Sequence, residues 1–201
     1  MLLIGFGHRA RQGKNTAAEA VLNACPLATD VRMYAFADAL KQEVRVAVAK
    51  LGGPFNLIEQ FKEAGLMPEW VHWEEPKPRT VLQWWGQWRR SQDPAYWVKR
   101  LDAKLRQHQP EVALITDVRN GPDDGPEGDE TTYVHSQGGI LVKCIRLGAP
   151  DVDVPEHISE SSLDNYTGWD YTITAATAEE CKRKAVDIFR EVSSEVHFPG
   201  L

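Results

Sequence analysis

An apolar run, LLIGF at residues 2–6, leads directly into GHRARQGKNT at 7–16 and then into a helix-prone stretch at 17–22. Few local patterns restrict a fold more tightly. A strand, a turn bearing glycine and cations, and a helix start form, in that order, a loop whose backbone N–H groups and positive helix end surround a polyphosphate. Gly13 and Lys14 stand where such a loop carries its Gly-Lys pair, so the chain is expected to bind a nucleoside triphosphate. The full spacing G-x-x-x-x-G-K-[ST] would put a glycine at position 8, where this chain has His8, with Gly7 one place earlier. Asn15 takes the place of the metal-binding hydroxyl, and Thr16 offers a hydroxyl to a phosphate one residue later. The expected triphosphate set is therefore Gly7, Arg11, Gly13, Lys14, Asn15 and Thr16. The competing reading is an ordinary strand-to-helix connection in which Arg9, Arg11 and Lys14 are solvated charges.

With 201 residues, 42% hydrophobic and 26% charged, the chain is long enough for one full core. One domain over 1–201 is expected, with a helical substrate-binding insertion at about 52–108 and a lid region at about 147–165. A formal charge of −6 and a pI near 5.5 argue against holding duplex DNA by broad phosphate neutralisation and favour a small anionic ligand. Cys25, Cys144 and Cys181 are odd in number and lack metal-ligand spacing, which fits reduced thiols. There is no apolar run of bilayer length and no charged-then-apolar export signal, so a cytoplasmic location is expected, with no membrane partner. The stretch NGPDDGPEGDE, 120–130, suits neither helix nor strand and reads as an exposed insertion.

Periodicity sets out the remaining elements. Residues 31–36 read as a second strand, and 37–51 as a helix with Leu40, Val44, Ala47, Val48 and Leu51 on one face. A short helix is expected at 55–65, a surface loop at 67–78, and helices at 80–90 and 94–107. Short apolar or β-branched runs at 111–116, 139–145 and 171–174 read as strands, and 177–192 as a closing amphipathic helix. Strands alternating with helices predict a three-layer α/β fold: a mostly parallel five-stranded sheet with helices on both faces, of the phosphate-loop NTPase kind. In such sheets the loops after the strands share one crevice. Asp38, Asp117, Arg119 and Arg146 all fall just after strands and are candidates for its chemistry.

The strand LITDVR, 114–119, ends in Asp117, which is either a metal anchor acting through water or a capping aspartate at a turn. Arg119 is read either as a ligand for a substrate phosphate or as half of a surface ion pair. Gln83, Trp84 and Trp88 lie on or near one helical face, where the rings offer a stacking surface for a base or else fill the core with Trp85 and Trp97. His157 and Glu160 share a helix face, but with no third ligand in view a helix N-terminal contact outweighs a metal pair.

Five separated motifs, GHRARQGKNT (7–16), FADALK (36–41), RTVLQWWGQWRR (79–90), ITDVR (115–119) and HISESSLDN (157–165), together resemble the deoxynucleoside monophosphate kinases encoded by tailed bacteriophages. The resemblance runs from residue 3 to about 189 and lies in the order and spacing of the motifs. It implies a nucleotide-kinase-like fold and transfer of the γ-phosphoryl of ATP to a deoxynucleoside monophosphate, with Mg²⁺. Joined to the chemistry of phosphoryl transfer, it gives catalytic roles to Lys14, Asp38 and Arg119, and sets Lys14 between the β- and γ-phosphates. Asp38 either helps Asp117 hold the metal through water or orients the acceptor. The implied substrate-binding set is Asp38, Lys41, Arg79, Gln83, Trp84, Trp88, Arg90, Arg119, Glu130 and Arg146. Where the family tends to run D-V-R-[FY]-P-N-E, this chain breaks after Arg119 and resumes at Asp129-Glu130, which makes 120–128 an insertion. Gln87 stands where a threonine is common.

The implied partners are small nucleotides, ATP and a dNMP, without stable duplex DNA; association into a homodimer stays open. Two rival readings remain: a kinase of a hydroxymethylated pyrimidine within DNA, and a nucleotide-binding protein without catalysis.

Overall fold

The computed structural model describes residues 1–50, 52, 78–122, 129–148 and 162–195, with side chains omitted at 78–80 and 195. Residues 55–65 and 67–77, where a helix and a loop are expected, lie outside these, as do His157 and Glu160. Among the described residues there are five strands, β1 (Leu2–Gly7), β2 (Val31–Tyr34), β3 (Val112–Val118), β4 (Ile140–Arg146) and β5 (Tyr171–Ala175). The helices among the described residues are α1 (Lys14–Ala24), α2 (Phe36–Lys50), α3 (Pro78–Gln92), α4 (Tyr96–His108), α5 (Glu130–Ser136) and α6 (Ala178–Glu195). The strands form one all-parallel sheet in the order β2-β3-β1-β4-β5.

Strands covered on both faces need apolar side chains at consecutive positions, and β1 and β3 supply them. Leu2, Ile4 and Phe6 join Val112, Leu114, Val142 and Ile173 in a core completed by Ala17, Ala18 and Val21 of α1 and Cys181, Ala185 and Phe189 of α6. Leu3, Ala113, Ile115 and Leu141 point the other way, onto Phe36 of α2, Leu101 and Leu105 of α4, and Tyr133 and Val134 of α5. The period-2 alternation of strand side chains thus separates two helix layers on one sheet. A third cluster, Val44, Val81, Trp84, Trp85 and Trp97, joins α3 to α2 and α4 outside the sheet.

Helix α5 was not expected from the sequence. Asp129 caps it, accepting at Oδ1 from Thr131 N (2.8 Å) and Thr132 N (2.9 Å), while both threonine hydroxyls also donate to the carboxylate. Asn120, Asp129 and Glu130, read as parts of an exposed insertion, are all buried. The glycine-rich composition between them conceals the fact that both ends of the segment fold into the interior.

Topology locates the crevice. The chain leaves β1 over the α1 face to reach β2, and leaves neighbouring β3 over the α5 face to reach β4. Loops at the carboxyl ends of β1 and β3 therefore part to opposite sides of the sheet, and such a switch point opens a ligand crevice.

Candidate functional site

The β1–α1 loop turns sharply into that crevice. Gly13 has φ +92°, and His8 (φ +92°) and Arg11 (φ +59°) are also left-handed. The last two place a side chain on backbone that glycine adopts more readily, at roughly 1–2 kcal/mol each. Helix α1 begins without a side-chain cap at Gly13 and without an acidic residue in its first turn. Its ladder starts at Ala17 N to Gly13 O (2.9 Å), so it does not use the amides of Lys14, Asn15 and Thr16. Lys14 is buried, and its Nζ donates to the carbonyls of His8 (2.9 Å) and Arg9. Arg9 itself turns outward and donates through Nε to Asp164 Oδ1 at 2.8 Å. His8 Nε2 lies 3.4 Å from the same oxygen, yet burial and the nearby Lys143 lower its pKa.

This loop forms one wall of a cavity of about 930 Å³. Residues 10–16 face it from β1–α1, and Thr116, Asp117, Arg119 and Asn120 close its floor from the end of β3. Leu40 and Lys41 of α2, with Leu82, Gln83, Gly86, Gln87 and Arg90 of α3, make the opposite wall. Ile145 and Arg146 end β4 there, and 175–178 bring in the turn from β5 to α6. Gln12 Oε1 accepts from Arg146 N at 2.6 Å and so joins the loop to the end of β4. Among the described residues the lining carries six cations, Arg11, Lys14, Lys41, Arg90, Arg119 and Arg146, against two carboxylates, Asp117 and Glu130, in a protein whose net charge is −6. That concentration of positive charge gives the cavity a potential suited to a polyanion.

Both carboxylates are engaged by the protein. Asp117 is partly open to the cavity but surrounded by protein, and it accepts from Phe36 N (2.7 Å) and Ala37 N (2.9 Å), holding the first amides of α2. Burial raises its pKa against the pull of those amides and of Arg119, with Asp38 adding to the rise. Its capping role is thus established by geometry. Among the described residues no group of three or more metal-ligating side chains occurs. Glu130 receives four hydrogen bonds, from Arg119 N, Asn120 N, Asn120 Nδ2 and Arg90 Nη2. Burial, opposed by Arg90 and helped by Asp117, pushes its pKa up to about 7.

Twelve sequence-derived candidates therefore meet at one cavity: Arg11, Gly13, Lys14, Asn15, Thr16, Lys41, Gln83, Arg90, Asp117, Arg119, Glu130 and Arg146. Four do not line it. Asp38, expected to act on metal or acceptor, accepts from Ala35 N (3.2 Å) and pairs with Lys104 (3.6 Å), because the first turn of α2 points it toward α4. Trp84 and Trp88, expected as a base platform, stack on each other with centroids 6.3 Å apart in the α2–α3–α4 cluster, where burial of their rings outweighs exposure to a ligand. Gly7 lies at the end of β1 outside the lining; a Cβ there would lie 2.5 Å from Trp169 Cη2 and 3.0 Å from Val118 O, so close packing of Trp169 demands the glycine. The side chain of Arg79 lies outside the described residues.

Several lining residues were missed. Gln87 follows Gln83 by one helical turn, a spacing that places both on one face. Asn120 and the small residues 175–178 carry no motif, and only folding brings them to the site. Neither protein-family models nor curated proteins yield a match to this chain.

Proposed function

We propose that the chain is a deoxynucleoside monophosphate kinase that moves the γ-phosphoryl of ATP onto the 5′-phosphate of a dNMP. One observation carries the reading: the Gly13-Lys14 turn opens, at a sheet switch point, onto a cavity lined, among the described residues, by six cations and two engaged carboxylates. Two anionic substrates need such surroundings, because phosphoryl transfer asks a protein mainly for alignment and charge compensation.

In this reading the amides of α1's first turn and Gly13 hold the triphosphate, with Thr16 donating its hydroxyl to a phosphate. Lys14 exchanges the loop carbonyls for the β- and γ-phosphate oxygens. Mg²⁺ arrives with the substrate as MgATP. Arg90, Arg119 and Lys41 hold the acceptor phosphate, and Gln83 offers its amide to the acceptor base; Arg146 faces the migrating group from the end of β4. An acceptor phosphate oxygen forms the new bond to Pγ as the bridge from Pγ to the β-phosphate breaks, giving dNDP and ADP. The acceptor is already anionic, so no general base is needed. A hydroxyl acceptor, as in a modified pyrimidine within DNA, calls for a carboxylate base, and the two carboxylates among the described lining residues, Asp117 and Glu130, are both occupied by protein donors. The activity would feed phage DNA synthesis in the host cytoplasm.

The test is ADP release coupled to each of the four common dNMPs and to modified pyrimidine monophosphates. Stimulated turnover is expected with at least one, and Lys14→Ala should lower it about 100-fold or more while the fold is kept. Silence with every acceptor rejects the reading, and labelled phosphate entering polymeric DNA alone transfers it to the DNA kinase.

A further inference from the structure

Among the described residues that line the cavity, Glu130 is the least exposed charged one, at 2%. A carboxylate has about four acceptor sites. All four are used here: Oε2 accepts from Arg119 N (2.7 Å) and Asn120 N (3.2 Å), and Oε1 from Asn120 Nδ2 (2.7 Å) and Arg90 Nη2 (3.4 Å). Glu130 N also returns a bond to Asn120 O at 3.1 Å. No acceptor site is left over for a substrate group.

The donors come from two separate elements of the fold. Arg119 and Asn120 follow β3 directly, whereas Arg90 sits in the last turns of α3, which packs with α2 and α4 in a cluster of its own. We propose that Glu130 is a positioning residue: it ties the Arg90 side chain to the main chain at Arg119, so that two guanidinium groups from separate layers face one phosphate at a set separation. Paired forks recognise a phosphate only when both are held in register, and a loose α3 would lose that register without changing the fold. The inference rests on the kinase reading only for what the two arginines hold. It removes Glu130 from the substrate ligands and gives it a role that acts through Arg90.

The experiment uses the full chain without nucleotide first. Side-chain NMR of the arginine guanidinium groups reports their rotation, and Arg89, held by Glu43 at 3.0 Å, serves as the internal control. Glu130→Gln should release Arg90 to fast rotation and leave Arg89 unchanged; an Arg90 signal that does not move overturns the proposal whether or not the protein is a kinase. With substrates, Glu130→Gln should raise the acceptor KM about tenfold or more and leave the ATP KM unchanged. An unchanged acceptor KM, or an equal rise for both substrates, overturns it. The Arg90→Met, Glu130→Gln double variant should bind acceptor no worse than Arg90→Met alone, and additive losses refute the tie. A released Arg90 in a protein that phosphorylates no dNMP would reject the kinase reading and keep the tie. Should Glu130→Gln not fold, the wild type at about pH 5 and pH 8 replaces it, since Arg90, Asp117, Arg119 and Asn120 are the groups that face Glu130 and proton uptake there must loosen Arg90 at the lower value; identical Arg90 rotation at both values overturns the proposal.

Discussion

Replacing Glu130 with glutamine should stabilise the protein at alkaline pH while leaving its stability in mild acid almost unchanged. Burial, with Asp117 nearby, raises the Glu130 carboxyl from 4.5 to about 7, although Arg90, Arg119 N and the Asn120 amide favour the charged form. At about 1.4 kcal/mol for each tenfold change, that displacement amounts to about 3 kcal/mol. The sign follows from the proton count. Between the unfolded value and the folded one, the native state holds a proton that the unfolded chain has released, so stability falls as pH rises through this window. Above about 7 the cost of the buried charge is fully present; below about 4.5 it is absent. Glutamine copies the neutral carboxyl in shape and never ionises. Urea unfolding followed by circular dichroism, on both proteins from about pH 5 to pH 8, isolates Glu130, because most other groups titrate alike in the two and cancel in the difference. The variant should gain about 3 kcal/mol on the wild type over the range, with relief of Asp117 acting in the same direction. A difference that stays level, or that turns against glutamine as pH rises, refutes the account. The proposed tie to Arg90 predicts that the same variant loses acceptor affinity, a loss in function set against its gain in stability.

Two further substitutions on α3 separate packing from binding. Trp84→Ala removes a ring that is 2% exposed and should cost about 3–5 kcal/mol in unfolding free energy, whereas Gln83→Ala, one position earlier on the cavity wall, should leave the unfolding midpoint in place and raise the acceptor KM. Equal losses of stability in the two would contradict the assignment of Trp84 to the core and Gln83 to the site. Gly7→Ala forces a methyl group to 2.5 Å from Trp169 Cη2 and should destabilise by about 1–3 kcal/mol, measured by thermal unfolding. Trimming the ring in a Gly7→Ala, Trp169→Phe double variant should recover part of that loss, and no recovery would place the strain elsewhere.

Much of the architecture was legible in the residue order because parallel strands and amphipathic helices carry local signatures. The apolar runs of β1, β3 and β4 and the helical spacing of α2, α4 and α6 appear within a few residues of their observed bounds. The Gly13-Lys14 turn was legible for the same reason, since the strand, loop and helix that define it are contiguous. Helix α5 was not, because seven residues led by Asp129 and Glu130 show no clear period, and their charges suit the surface unless partners across the chain are known.

The sequence by itself therefore determined the kind of fold, the place of the Gly13-Lys14 turn and most of the cations that surround it. Which polar side chains face the cavity was decided by the tertiary structure. Asp38 and Asp117 look equivalent as carboxylates following strands, yet one is drawn to Lys104 and the other to the α2 amides. Glu130 meets Arg90 across 40 positions of sequence because β3 and α5 carry it to the end of α3. A side chain's charge is written locally, but its partners depend on how distant elements pack, and in a crevice built from several separate segments that packing sets what each group can do.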